Sequence, residues 1–214
     1  MSGVRRPRIH VLAGVNGAGK SSIGGAAVRQ AGGEYFNPDE AARALREFAP
    51  ALTQAQANSA AWRQGVRLLT RAIDERLDFT FETTLGGHTI TNLLAQAAEQ
   101  GIEVHVWYMG LSSLALHIER VQARVSQGGH DIPGDAVHRR YEHSRLNLIS
   151  LLPHLTTLKV YDNSVDADPV AGHAPTPTLV LHIERGKILG PSDLTPTPDW
   201  ARPIVAAALR LSRP

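Results

Sequence analysis

The chain contains no cysteine, which excludes disulfides, thiolate metal ligands and a cysteine nucleophile. It has three lysines against 19 arginines, so a lysine at a motif position stands out. No apolar run approaches the roughly 18 residues of a membrane-spanning helix. The arginines between Met1 and His10 are not followed by the apolar core of a secretory leader, so a cytoplasmic protein without a membrane partner is expected. The net charge is only +2, too small an excess to point to nucleic acid or an anionic membrane. None of the ten histidines falls in a His-x-x-x-His or Glu-x-x-His pattern, so histidine metal ligation is not expected. Hydrophobic residues at 43% and charged residues at 20% of 214 describe a globular chain long enough to bury its own core.

What is present is concentrated in one loop. Gly14-Val15-Asn16-Gly17-Ala18-Gly19-Lys20-Ser21 fits the pattern Gly-x-x-x-x-Gly-Lys-Ser/Thr at every fixed position. Its glycines let backbone N–H groups turn toward a nucleotide's phosphates. Gly14, Asn16, Gly17, Ala18, Gly19, Lys20, Ser21 and Ser22 are the expected nucleotide contacts. Lys20 is to reach the β- and γ-phosphates and Ser21 to hold Mg²⁺, so ATP and Mg²⁺ are the expected cofactors. The run Arg8 to Ala13 before the loop reads as a buried strand, and Ser21 to Ala31 as the helix that it opens.

Strand and helix signals alternate along the rest of the chain, which predicts an α/β fold of the P-loop NTPase class. Its central sheet is to be mostly parallel, doubly wound and flanked by helices. Further strands are expected at Glu34–Asn37, Phe79–Thr83, Ile102–Gly110 and Thr157–Asp162. Helices are expected at about Asp39–Phe48, Thr53–Leu77, Thr89–Gln100, Leu111–Val125 and Asp135–Leu152, with a glycine-rich break at 127–134. After a loop over 166–178, Leu179–Ile188 reads as a β-hairpin and Trp200–Leu211 as a closing helix. A single domain, 1–214, is predicted, with its core at 8–165 and the C-terminal hairpin and helix in 166–214.

Asp39 and Glu82 each lie at or near the carboxyl end of a predicted strand, on the rim where the loop sits. A kinase needs a carboxylate to take the proton of the attacking hydroxyl, and Asp39, exposed by the turn Asn37-Pro38-Asp39-Glu40, suits that task. Glu82-Thr83-Thr84 offers a carboxylate and two hydroxyls to an acceptor or to metal-bound water, with His88 in the turn that follows. Arg120 and Arg124 share one helix face and can neutralise charge on transferring phosphate. Arg139, Arg140 and Arg145 read instead as a solvated helix face. The competing expectation is a nucleotide-binding switch or regulatory ATPase that moves residues 126 to 134. A polynucleotide kinase is a third reading that fits less well, since it would need a basic channel for the strand.

Taken in order, Ala13 to Ser21, Phe36-Asn37-Pro38-Asp39-Glu40, Phe81-Glu82-Thr83-Thr84-Leu85, Glu119-Arg120-Val121 and Gly128-Gly129-His130-Asp131-Ile132-Pro133 resemble the motifs of the zeta toxin family of P-loop kinases, over about residues 8 to 165. The resemblance implies ATP-dependent phosphorylation of a hydroxyl on a small nucleotide-linked substrate, in the toxins the 3′-hydroxyl of the sugar of UDP-N-acetylglucosamine. It implies Lys20 on the phosphates, Asp39 as base, Glu82 and Thr84 toward acceptor or metal, Arg120 and Arg124 on the ATP side, and Asp162-Asn163-Ser164 beside the adenine. An antitoxin protein is the partner it implies. The chain departs from the family's Glu-Gly-Thr pattern by placing Thr83 where the toxins have glycine.

Overall fold

In the computed structural model residues 5–126, 132–165 and 176–212 are described. Six strands form one sheet: β1 (Arg8–Ala13), β2 (Phe79–Thr83), β3 (Glu103–Gly110), β4 (Thr157–Asp162), β5 (Thr178–Glu184) and β6 (Lys187–Gly190). Their order is β2-β1-β3-β4-β5-β6. The first four are parallel, and β5 and β6 add antiparallel at one edge. The chain leaves β1 to one side for β2 and returns to its other side for β3. That reversal puts a crevice at the carboxyl end of β1, where open α/β sheets bind their ligands.

The helices are α1 (Ala26–Gln30), preceded by a π-helical turn at Lys20–Gly25, then α2 (Pro38–Phe48), α3 (Gln54–Asp74), α4 (His88–Glu99), α5 (Leu114–Ser126), α6 (Gly134–Leu151) and α7 (Arg202–Leu211). One face of the sheet presents Ile9, Val11, Val104, Val106, Leu158 and Leu181 to apolar residues of α3, α4, α6 and α7, which together make the main core. On the opposite face Gly24 of the π-helical turn lies against Leu12. The helix cover of the two faces is therefore unequal. Farther along that face the half-buried rings of His10 and His105 stack at 4.8 Å.

The predicted architecture holds, including the terminal hairpin, whose turn residues Arg185 and Gly186 both take positive φ (47° and 78°), as a tight two-residue hairpin requires. One expected strand does not form. Glu34–Asn37 makes only a single bridge, Phe36 to Phe81, because Asn37 turns to cap α2: its side chain accepts from the N–H groups of Asp39 and Glu40. The helix after the loop ends at Gln30 and starts with π geometry, and α5 begins at Leu114, three residues past its expected start, behind a Ser113 side chain that accepts from Leu116 N–H at 3.1 Å. The expected break at 127–134 lies mostly outside the described residues, as does most of the 166–178 loop. Among the described residues no helix is long and apolar enough to cross a membrane.

Candidate active site

The loop between β1 and the π-helical turn is shaped by glycine. At Gly14 φ is 137°, and a Cβ there would run into the Met109 carbonyl oxygen of β3. At Gly19 φ is 92° and a Cβ would press on the amide of Asn163. A side chain at either position would close the backbone cradle that an anionic ligand needs.

Around this cradle the polar groups are fixed by specific bonds. Asn163, buried just past β4, donates from its side chain to the Ala18 carbonyl at 3.0 Å and from its backbone N–H to Gly110 at 3.0 Å. Its own carbonyl accepts from Arg120 at 2.8 Å. Asn16 is gripped twice: its carbonyl oxygen meets His117 Nδ1 at 2.7 Å and its side-chain oxygen accepts from Arg140 at 2.7 Å. The His117 ring is almost fully enclosed, and burial pushes its pKa down to about 4, so it stays neutral and its Nδ1–H donates to that carbonyl.

Glu82 is the polar centre of the site. Register pairs it with Leu12, one residue before the end of β1, which brings it beside the loop that follows. It is only 6% exposed, as is Lys20. The Lys20 ammonium is 3.6 Å from Glu82 Oε1 and 3.3 Å from the Val15 carbonyl, while Ser21 Oγ donates to Glu82 Oε2 at 2.7 Å. The Asn37 amide lies 3.4 Å from Ser21 Oγ and 3.5 Å from Glu82. A serine hydroxyl and a carboxylate side by side are hard oxygen donors suited to Mg²⁺. Among the described residues no three His, Asp or Glu side chains cluster as a metal group.

A cavity of about 260 Å³ opens beside these groups, and Lys20, Asp39, Glu82, Thr83, Thr84 and Arg140 are among its lining. Asp39, in the first turn of α2, is half exposed and lies 3.8 Å from Arg124. Arg140 reaches over Gly86 into the same space, and burial lowers its pKa while Asp39 opposes that shift. Arg120 and Arg124 leave the same helix toward different ends of the site, one to Asn163 and the other to Asp39. Thr83 spends its hydroxyl locally, accepting from Leu85 N–H at 3.1 Å. Ser22 is exposed and bonds back to Gly19. His88 is exposed at the start of α4 and is not part of the cavity wall.

Sequence reasoning gathered Lys20, Ser21, Asp39, Glu82 and Thr84 into one place; in the structure Lys20, Asp39, Glu82 and Thr84 line one cavity, and Ser21 donates to Glu82. It missed Arg140, which it assigned to a solvated face, as well as Asn37, His117 and Trp62. Trp62 had a signal: an aromatic next to Ala61 that stands off the apolar stripe of its helix. Arg140 had none, because only the tertiary fold carries α6 across Gly86.

Comparison with known proteins places this geometry. The fold matches that of a chain in the native AvrRxo1-ORF1:-ORF2 complex, with a TM-score of 0.67 at 15% identity over 96% of this chain and 71% of that one. The same complex with ATP gives 0.65 at 17% identity over 95% of this chain, which spans 64% of that chain's length. A putative kinase from Chloroflexus aurantiacus matches at 0.51 and 12% identity over 64% of this chain and 78% of that one. An uncharacterized protein of Haemophilus influenzae is 32% identical over 128 residues, covering 60% of this chain and 88% of its own. Residues 1–165 match the family model described as Zeta toxin, which together with the phosphate loop supports a nucleotide-dependent, kinase-like function, and the chain belongs to the zeta toxin family.

Proposed function

We propose that this protein is an ATP-dependent phosphotransferase that phosphorylates a hydroxyl of a small nucleotide-linked acceptor of the UDP-N-acetylglucosamine kind. The observation that carries this is the cavity at the carboxyl end of β1. Asp39 stands there together with Lys20 and Glu82, so a base for a hydroxyl and a ligand for phosphate face the same space. Bound Mg²⁺ and ATP would supply the phosphoryl group and neutralise its charge.

The chain's residues divide the remaining work. The loop N–H groups and Lys20 bind phosphate oxygens, for which Glu82 competes at 3.6 Å. Ser21 and Glu82 would hold the metal, and Ser22 would lie beside the phosphates. Asp39 accepts the hydroxyl proton of the acceptor and orients its oxygen. Arg124, 3.8 Å from Asp39, and Arg140 in the cavity wall add positive charge where negative charge accumulates. Arg120 anchors Asn163, where the adenine side of the nucleotide would rest. Glu82, Thr83 and Thr84 make up the acceptor side, with His88 outside the cavity wall beyond them, and the whole chain, 1–214, acts as one domain. The fold relatives solved as AvrRxo1-ORF1:AvrRxo1-ORF2 complexes and the family's name support a protein antitoxin as partner.

The test is mass spectrometry of UDP-sugars, nucleosides and dinucleotides incubated with protein, ATP and Mg²⁺. A mass gain of one phosphate is expected, at a rate at least about 10²-fold lower for Asp39→Asn with ATP binding retained. ATP turnover with no phosphorylated product would instead support a regulatory ATPase.

A further inference from the structure

The cavity is lined by residues of mixed character. Its charged lining consists of Lys20, Asp39, Glu82 and Arg140. Trp62 and Asn58 of α3 with Thr89 and Ile90 of α4 make an uncharged stretch of the same lining. Trp62 is 49% exposed, a large indole left half in water at the lip of a site. Its neighbour Ala61 is fully buried and fixes the helix face, so the indole's place at the rim is set by the packing of α3 on α2.

The size of the space limits what enters. At about 260 Å³ it falls below the roughly 300–1,000 Å³ of pockets that enclose whole drug-sized ligands. A space of that size encloses one ring more closely than a sugar, a diphosphate and a base together. A diphosphate held along the uncharged stretch would demand cations, and Trp62, Asn58, Thr89 and Ile90 offer none. An aromatic face beside an amide and a threonine hydroxyl matches the apolar face and hydroxyl edge of a sugar ring.

The geometry points to Trp62 as the specificity-determining wall of the acceptor site: it stacks on an uncharged sugar ring that bears the accepting hydroxyl, while any attached nucleotide lies outside the cavity. This rests on the kinase function proposed above. Asn58 supplies hydrogen bonds to ring hydroxyls, and Asp39 lines the same cavity. Recognition is therefore of the ring, and a free sugar is competent to bind.

The experiment pairs kinetics with tryptophan fluorescence. N-acetylglucosamine, UDP-N-acetylglucosamine and uridine serve as probes for wild type, Trp62→Ala and Trp62→Phe. Expected are a sugar-dependent fluorescence change that is lost in Trp62→Phe and an acceptor KM raised about tenfold in Trp62→Ala with kcat within about twofold. Trp62→Phe should recover most of the KM, and the KM for ATP should not move. Unfolding midpoints of the variants control for folding. An unchanged acceptor KM in Trp62→Ala, a fluorescence change that survives Trp62→Phe, or a response to uridine without one to N-acetylglucosamine overturns the assignment. A Trp62-dependent sugar response with no phosphorylated product from any probe supports the ring site and refutes the kinase function instead.

Discussion

The Lys20–Glu82 pair carries a measurable share of the stability. Both side chains are 6% exposed and their charged atoms are 3.6 Å apart. Glu82→Gln keeps the volume and an acceptor for Ser21 but leaves the ammonium without its counter-charge. Removing one partner of a buried pair costs about 3–5 kcal/mol. Because both residues also line a solvent-accessible cavity, water screens part of that, and about 2–3 kcal/mol is expected. At about 2–4 °C per kcal/mol for a domain of this size, the variant should melt about 4–12 °C lower. Lys20→Met should lose a similar amount, because it strands the carboxylate. The double variant should lose little more than either single one, giving a coupling of at least about 1.5 kcal/mol. Urea unfolding of the four proteins at pH 7, followed by circular dichroism with a common m-value, measures this. Losses that add to within about 0.3 kcal/mol would refute the view that the two charges stabilise each other.

Other outcomes follow from neighbouring groups. His117 is held at about 4 by burial, against about 6.5 in the unfolded chain. The folded state therefore binds fewer protons between those values: stability is complete above about pH 6.5 and falls by roughly 3 kcal/mol as pH drops to 4. His117→Gln should flatten that limb in urea midpoints taken across the window. Gly110→Ala would drive a methyl group into the buried ring of Trp200 and should cost about 1–3 kcal/mol, read as a lower melting temperature. Arg140→Ala should slow phosphoryl transfer by about 10- to 100-fold in single-turnover assays, and an unchanged rate would remove Arg140 from the site.

The sheet and the loop were legible because they are written in local patterns: apolar runs of strand length and glycines at fixed spacing. Asp39 and Glu82 were legible because strand ends in parallel sheets converge on one rim. The missing strand at Glu34–Asn37 was misread since its apolar pair Tyr35-Phe36 resembles a strand, whereas Asn37 is committed to capping α2. Arg140 shows the other limit. Its sequence neighbours, Arg139 and Tyr141, say nothing of Asn16, 124 positions away, and only packing of α6 beside the loop creates that bond. The different partners of Arg120 and Arg124 were equally hidden, since helical spacing puts them on one face without saying what each meets.

The contact of Trp200 with Gly110 has a meaning for where this protein can be cut. The family match stops at residue 165, yet Val180, Leu181, Ile183, Trp200 and Ile204 share one core with Ile9, Val104 and Leu158. A fragment ending at the match would strip β5 from β4, leave a bare edge strand and expose that apolar surface, conditions that favour aggregation. Kinship and cooperativity draw their boundaries at different places along this chain: what is inherited recognisably ends before what must fold together.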